Sequence, residues 1–181
     1  PLFFCSNPEQ AIEMSGQSAR TTHGAAECVE ACRLLGGILV RGLQGASKPE
    51  MLFEHGVTGL SCEKVQAIAQ GHYRAKAESA IAGSGYVVHS LEAALWCFWQ
   101  TDDFRKAVLL AANLGDDADT TAAVCGQVAG AHFGEMGIPR NWLERLARSK
   151  EIRELADRLW QNGSQANRSV RPGVPTSGAL E

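Results

Sequence analysis

Asn113-Leu114-Gly115-Asp116-Asp117-Ala118-Asp119-Thr120-Thr121-Ala122-Ala123-Val124-Cys125-Gly126-Gln127-Val128-Ala129-Gly130-Ala131-His132-Phe133-Gly134 joins an acidic turn to a long run of small residues. Asp116, Asp117 and Asp119 place three carboxylates within four residues. One Asp or Thr is enough to cap a helix N-terminus. The helix dipole favours negative charge there, but further acids repel one another. A hard cation relieves that repulsion. The turn offers only oxygen donors, which suit Mg²⁺, Mn²⁺ or Ca²⁺, and it lacks the His or Cys that zinc prefers. An EF-hand is excluded because neither its glycine nor its closing glutamate stands at the required offset. Capping by Asp119 or Thr120 remains open beside the metal reading.

From Thr120 onward the pattern is helical, with Ala122, Gly126, Gly130 and Gly134 at every fourth position. Each helical glycine costs about 1 kcal/mol relative to alanine. A face that accepts this cost repeatedly predicts close packing against another backbone, and hence a central buried helix with the acidic turn at its start. Gly115 to Ala131 resembles the C-terminal signature of the ADP-ribosylglycohydrolase family, which includes the dinitrogenase reductase-activating glycohydrolases. The resemblance implies that Asp117, Asp119 and Thr120 are ligands of a pair of Mg²⁺ or Mn²⁺ ions. Asp116 precedes the matching positions and is left as a solvated acid or one that orients the ligands.

Upstream, Phe104 to Ala111 reads as an amphipathic helix leading into the turn. Thr101-Asp102-Asp103 imitates a Thr-Asp-Asp metal motif of the family, but its place directly before that helix marks it as a cap. Ile81 to Ser90 holds a second informative stretch, in which Gly83 and Gly85 flank Ser84 and permit close backbone approach to a ligand. Gly85-Tyr86, His89-Ser90 and Glu92-Ala93-Ala94-Leu95-Trp96 also resemble the family, which implies that Gly85 and Tyr86 lie beside the ribose or adenine of ADP-ribose. A tyrosine packed after a glycine turn fits the residues equally well. Ser90 is expected to cap a helix over Leu91 to Gln100 with a core of aromatics.

Towards the N-terminus, Asn7-Pro8-Glu9 is a helix start. Arg20-Thr21-Thr22-His23-Gly24 reads as its end, with Gly24 as a left-handed stop. The resemblance instead implies that His23 stands at the mouth of the ADP-ribose pocket. A long helix is predicted from Ala25 to Leu43, and another from Cys62 to about Ala77 with Ser61 as its cap. Downstream, Arg140 to Trp160 predicts one or two closing helices with Trp142, Leu146, Ile152, Leu155, Leu159 and Trp160 inward. From Gln161 the composition turns polar and glycine-rich. This predicts one domain over 1–160 and a disordered tail over 161–181.

A chain of 181 residues supports a single core. The balance of 17 basic against 20 acidic residues leaves no basic stripe for nucleic acid. No apolar run approaches the roughly 20 residues that cross a bilayer, so no membrane partner and a cytoplasmic location are expected. The six cysteines lack zinc spacing and read as buried reduced thiols, with Cys28 and Cys32 on one helix face. No segment carries strand periodicity, so the expected fold is all-α, a compact orthogonal multi-helix domain.

The resemblance spans Pro1 to Trp160. The family's first half, which carries the remaining metal ligands, has no match here, so the chain reads as a C-terminal portion whose catalytic residues belong to that missing N-terminal half. The implied function is hydrolysis of the glycosidic bond joining ADP-ribose to a modified protein side chain. An arginine-type linkage is favoured, with serine or a small molecule open. The implied cofactor is a two-ion Mg²⁺ or Mn²⁺ site, and weak metal affinity is expected of the chain alone. The alternative is a catalytically incomplete ADP-ribose-binding or regulatory fragment.

Overall fold

The structure, a computed structural model, describes residues 1–169, and among them there is no β-strand. Its helices are α1 (Pro8–Arg20), α2 (Ala26–Leu43), α3 (Lys48–Phe53), α4 (Glu63–Ala69), α5 (Val87–Trp99), α6 (Phe104–Asn113), α7 (Ala118–Phe133), α8 (Arg140–Leu143) and α9 (Ser149–Ser169). Short 3₁₀ turns cover His72–Ala75, Glu78–Ala80 and Glu135–Gly137. The all-α expectation is met. None of the described helices is long and apolar enough to cross a membrane.

α5 is the centre of the molecule. Val88, Leu91, Ala94, Leu95 and Phe98 are buried on it, and it touches α2, α4, α6 and α7. Fully burying a Leu or Phe side chain contributes roughly 1.5–3 kcal/mol, so this helix anchors the core. α1 pairs along α2 and α6 along α7. Gly37 of α2 faces the His55 carbonyl, which a Cβ at that position would approach to 2.6 Å, so the 54–58 segment lies directly on the helix. Lys48 fixes the far end of α5, donating to the carbonyls of Phe98 and Thr101 from above the Phe98 ring. A cation at a helix C-terminus also meets the negative end of the dipole.

The local signals at two helix starts hold. Asn7 Oδ1 accepts from the Gln10 amide at 3.2 Å with Pro8 in the first turn, and Asp103 Oδ1 accepts from the Lys106 amide at 2.7 Å. Others are overridden. α5 begins at Val87, so Ser90 lies inside the helix and is buried. Ser61 does not cap α4. It binds Glu30, and the helix stops before Gly71, which takes a left-handed φ of 74°. Gly24 is not left-handed, since α1 ends through αR at Thr21.

The small face of α7 also differs from expectation. A Cβ on Gly126 or Gly130 would stand 3.8 Å or 3.9 Å from Val108 or Phe104 side-chain atoms, which is ordinary contact and not close backbone approach. The buried side of α7 is its other face, with Thr121, Cys125, Val128 and Ala129. The closing segment departs furthest. Ile152 is 50% and Leu155 53% exposed, and Leu146, Leu159 and Trp160 are also exposed, so the apolar stripe of α9 does not enter the core. α9 is held instead by Arg153, whose guanidinium binds the Glu135 carboxylate at 2.7 Å, and by Gly163 resting on the Phe3 carbonyl. It runs past Trp160 to Ser169, with the Ser164 hydroxyl donating back to the Trp160 carbonyl. The rest of the expected tail, 170–181, lies outside the described residues.

Candidate functional site

The acidic turn is built by two consecutive left-handed residues, Gly115 at φ 79° and Asp116 at φ 55°. Short polar Asp tolerates this conformation where most side chains do not. The reversal brings Asp117 to the N-cap of α7, and its amide donates to the Gly83 carbonyl at 2.9 Å. The glycine loop therefore rests on the acidic turn. A Cβ on Gly83 would stand 3.1 Å from the Gly115 carbonyl, and one on Gly85 would stand 3.2 Å from Asp117 Oδ2. The missing side chain at Gly83 lets its backbone meet that of Gly115, and the one missing at Gly85 leaves room for the Asp117 carboxylate.

Asp117 caps with its backbone alone, its carboxylate making no capping hydrogen bond. Among the described residues Asp116, Asp117 and Asp119 take no side-chain hydrogen bond or ion pair, so three oxygen donors stand free at one helix start. Asp119 and Thr120 are exposed and Asp117 half-buried. This fits a hard divalent cation in donor chemistry. The donor set is incomplete, however, because no group of three or more His, Cys, Asp or Glu converges as metal ligands among the described residues. Behind the turn, the Thr121 hydroxyl is wholly buried with no partner.

A groove of about 490 Å³ opens between α1, α2, α5 and α7. His23, Gly85, Tyr86 and Thr120, drawn from three distant stretches of sequence, all line it. Its walls are mostly apolar, with Leu35, Val87, Leu91 and Val124. His23 follows the end of α1, its amide on the Ala19 carbonyl and its ring nitrogen 3.0 Å from the Thr22 hydroxyl.

Tyr86 is fixed on three sides. Its hydroxyl donates to Glu27 at 2.5 Å and accepts from Lys64 at 3.0 Å, while His89 meets its ring edge-on at 4.9 Å. The Tyr86 hydroxyl, outweighing a modest desolvation, and the nearby Lys64 ammonium hold Glu27 below the usual carboxylate range. The same partners, Tyr86 first, raise Lys64. The Ser84 hydroxyl lies 2.9 Å from His89 Nδ1, which ties the glycine loop to α5.

Glu27 and Lys64 were not singled out by the sequence. Each reads there as one of many solvated helix charges, and only the approach of α2 and α4 to the loop reveals the cluster. The cysteines also divide in a way spacing does not show. Cys5, Cys97 and Cys125 are buried, whereas Cys28, Cys32 and Cys62 are half-exposed, and all six are free. Burial, with Cys28 adding to it, pushes the Cys32 thiol up.

The ADP-ribosylglycohydrolase family profile matches residues 1–168. The chain is 44% identical over 159 residues to an ADP-ribosylarginine hydrolase Tri1 of Serratia proteamaculans, covering 88% of this chain and 43% of that protein. It is 44% identical over 146 residues to a Tri1 of Pseudomonas putida, covering 81% of this chain and 39% of that one. A solved ADP-ribosylglycohydrolase-related protein complex superposes with a TM-score of 0.81 at 36% identity, covering 90% of this chain and 56% of its own. The chain thus spans about two-fifths of the length of the Tri1 relatives.

Proposed function

The chain belongs to the ADP-ribosylglycohydrolase family, and from that membership we propose that it acts in hydrolytic removal of ADP-ribose from modified protein side chains, with an arginine-type linkage favoured. The observation that carries this reading is the groove itself, which gathers His23, Gly85 and Tyr86 beside Thr120 of the acidic turn. The names of the Tri1 relatives support the arginine linkage.

In this reading Tyr86, held by Glu27 and Lys64, presents its ring to the adenine or ribose. The glycine loop lets the ligand approach the backbone, and His23 stands at the mouth. Asp117, Asp119 and Thr120 would hold Mg²⁺ or Mn²⁺, the exposed Asp116 is the solvated acid beside them, and the remaining donors of a two-ion site would come from outside the described residues. Divalent cations at such a site supply orientation of the ribose hydroxyls and activation of a water. The apolar walls exclude bulk water and fix the ligand relative to the turn. A cytoplasmic setting accompanies the reading, supported by six free thiols of the kind a reducing compartment maintains.

A second reading, an ADP-ribose-binding fragment without turnover, is favoured by the incomplete donor set among the described residues. Calorimetric titration with ADP-ribose, run beside release of ADP-ribose from an ADP-ribosyl-arginine peptide in Mg²⁺ or Mn²⁺, separates the two. Hydrolysis that disappears with Asp119→Ala and with a chelator supports the first. Binding without release, weakened about tenfold by Tyr86→Ala as the loss of one base–aromatic stack would do, supports the second. A chain that neither binds nor releases ADP-ribose overturns both.

A further inference from the structure

α2 places Cys28 and Cys32 one turn apart on the wall of the groove, where both thiols are free and half-exposed. Beside them the wall is apolar, with Leu35, Leu91 and Val124. The other thiols are differently placed. Cys5, Cys97 and Cys125 are buried, and Cys62 lies outside the groove lining with its sulfur 3.7 Å from Glu27. Positions one helical turn apart hold their Cβ atoms roughly 5–6 Å from each other. A disulfide needs about 3.5–4.5 Å between Cβ atoms. Direct sulfur–sulfur bonding therefore asks the helix to deform, whereas one atom inserted between the two sulfurs spans the gap without distortion.

We propose that Cys28 and Cys32 form a dithiol site for monosubstituted trivalent arsenic, with the apolar substituent lying in the groove. With an organoarsine oxide, two S–H bonds and the arsenic–oxygen bond break, and two As–S bonds form. The oxygen departs as water carrying both thiol protons. Arsenic stays trivalent, so neither oxidant nor reductant is required. Two bonds from one rigid helix make the second attachment intramolecular. A monothiol therefore competes poorly for the arsenic, and a dithiol competes well. The bound substituent fills space beside Tyr86 and so excludes a groove ligand. That last consequence rests on the ADP-ribose reading, while the site itself does not.

The test is intact-protein mass spectrometry of the native chain with phenylarsine oxide. The expected result is one phenylarsenic group per chain with loss of two hydrogens, stable to excess glutathione and released by 1,2-ethanedithiol. Cys28→Ser and Cys32→Ser each lose the glutathione resistance by at least tenfold, and Cys62→Ser keeps it. A resistant adduct that survives in both single variants, or a wild-type adduct that glutathione strips, overturns the proposal. Excess ADP-ribose is expected to slow adduct formation. An adduct that forms as expected but ignores ADP-ribose counts against the ADP-ribose reading and leaves the dithiol site standing.

Discussion

Gly85 and Asp117 meet where the glycine loop rests on the acidic turn, and a single methyl group there has a definite consequence. A Cβ 3.2 Å from Asp117 Oδ2 is tighter than ordinary contact, so the carboxylate must give way by a few tenths of an ångström. Gly85 is not among the glycines with positive φ, so alanine fits the backbone and the effect stays local. Gly85→Ala is expected to weaken Mn²⁺ binding several-fold, read from the free-ion signal in electron paramagnetic resonance, while the melting temperature moves by no more than about 2 °C. An unchanged Mn²⁺ affinity would show that the Asp117 carboxylate takes no part in holding the ion. Both stretches were legible in the sequence as motifs. Their contact was not, because α5 and α6 separate residues 83–85 from 115–117 along the chain, and the direct contact exists only once those helices pack.

Glu30 links two elements. It is buried on α2, and its carboxylate accepts from the Ser61 amide and hydroxyl and from the Cys62 amide at 2.9 Å, satisfying the start of α4 from another helix. Burial raises its pKa, but these hydrogen bonds and the nearby Arg33 outweigh it and leave the group below the usual range. Glu30→Ala removes the acceptor at the start of α4, where Ser61 is exposed and Cys62 half-buried, so water can reach the freed donors. Urea denaturation is expected to show a loss of about 1 kcal/mol, as for a lost helix cap. At the other extreme, Leu155→Glu on α9 removes an apolar group that already faces solvent, so stability is expected to change by less than about 0.5 kcal/mol in the same assay. A large loss would mean that the α9 stripe is covered in solution. The helical period of α9 was plain in the sequence, but periodicity says only that an apolar face exists, not that it meets the core.

Across the whole molecule, pH acts through two histidines, His55 buried and His132 half-buried. Burial holds His55 below its ordinary 6.5, outweighing a hydrogen bond with the Ala69 backbone, and its Nδ1 accepts from the Val57 amide. Burial and then Lys48 lower His132 in the same direction. Well above pH 6.5 both rings are neutral in folded and unfolded chains and contribute no slope. Below it the unfolded chain takes up protons that the folded chain refuses, so stability falls as pH drops. Between pH 6.5 and 5, above the ordinary carboxylate range, this loss is expected to be read directly in denaturation midpoints. His55→Asn, which keeps an acceptor for Val57, is expected to flatten it, and an unaltered slope would assign the effect elsewhere. The sequence by itself determined the all-helical class, the caps at Asn7 and Asp103, the acidic turn and its family, because these depend on neighbours along the chain. Only the tertiary structure decided that His23, Tyr86 and Thr120 share a groove, that Glu27 and Lys64 hold Tyr86, and that the face of α9 stays outside the core. Those outcomes depend on which helices meet, which is fixed by competition for burial over the whole molecule and not by local spacing.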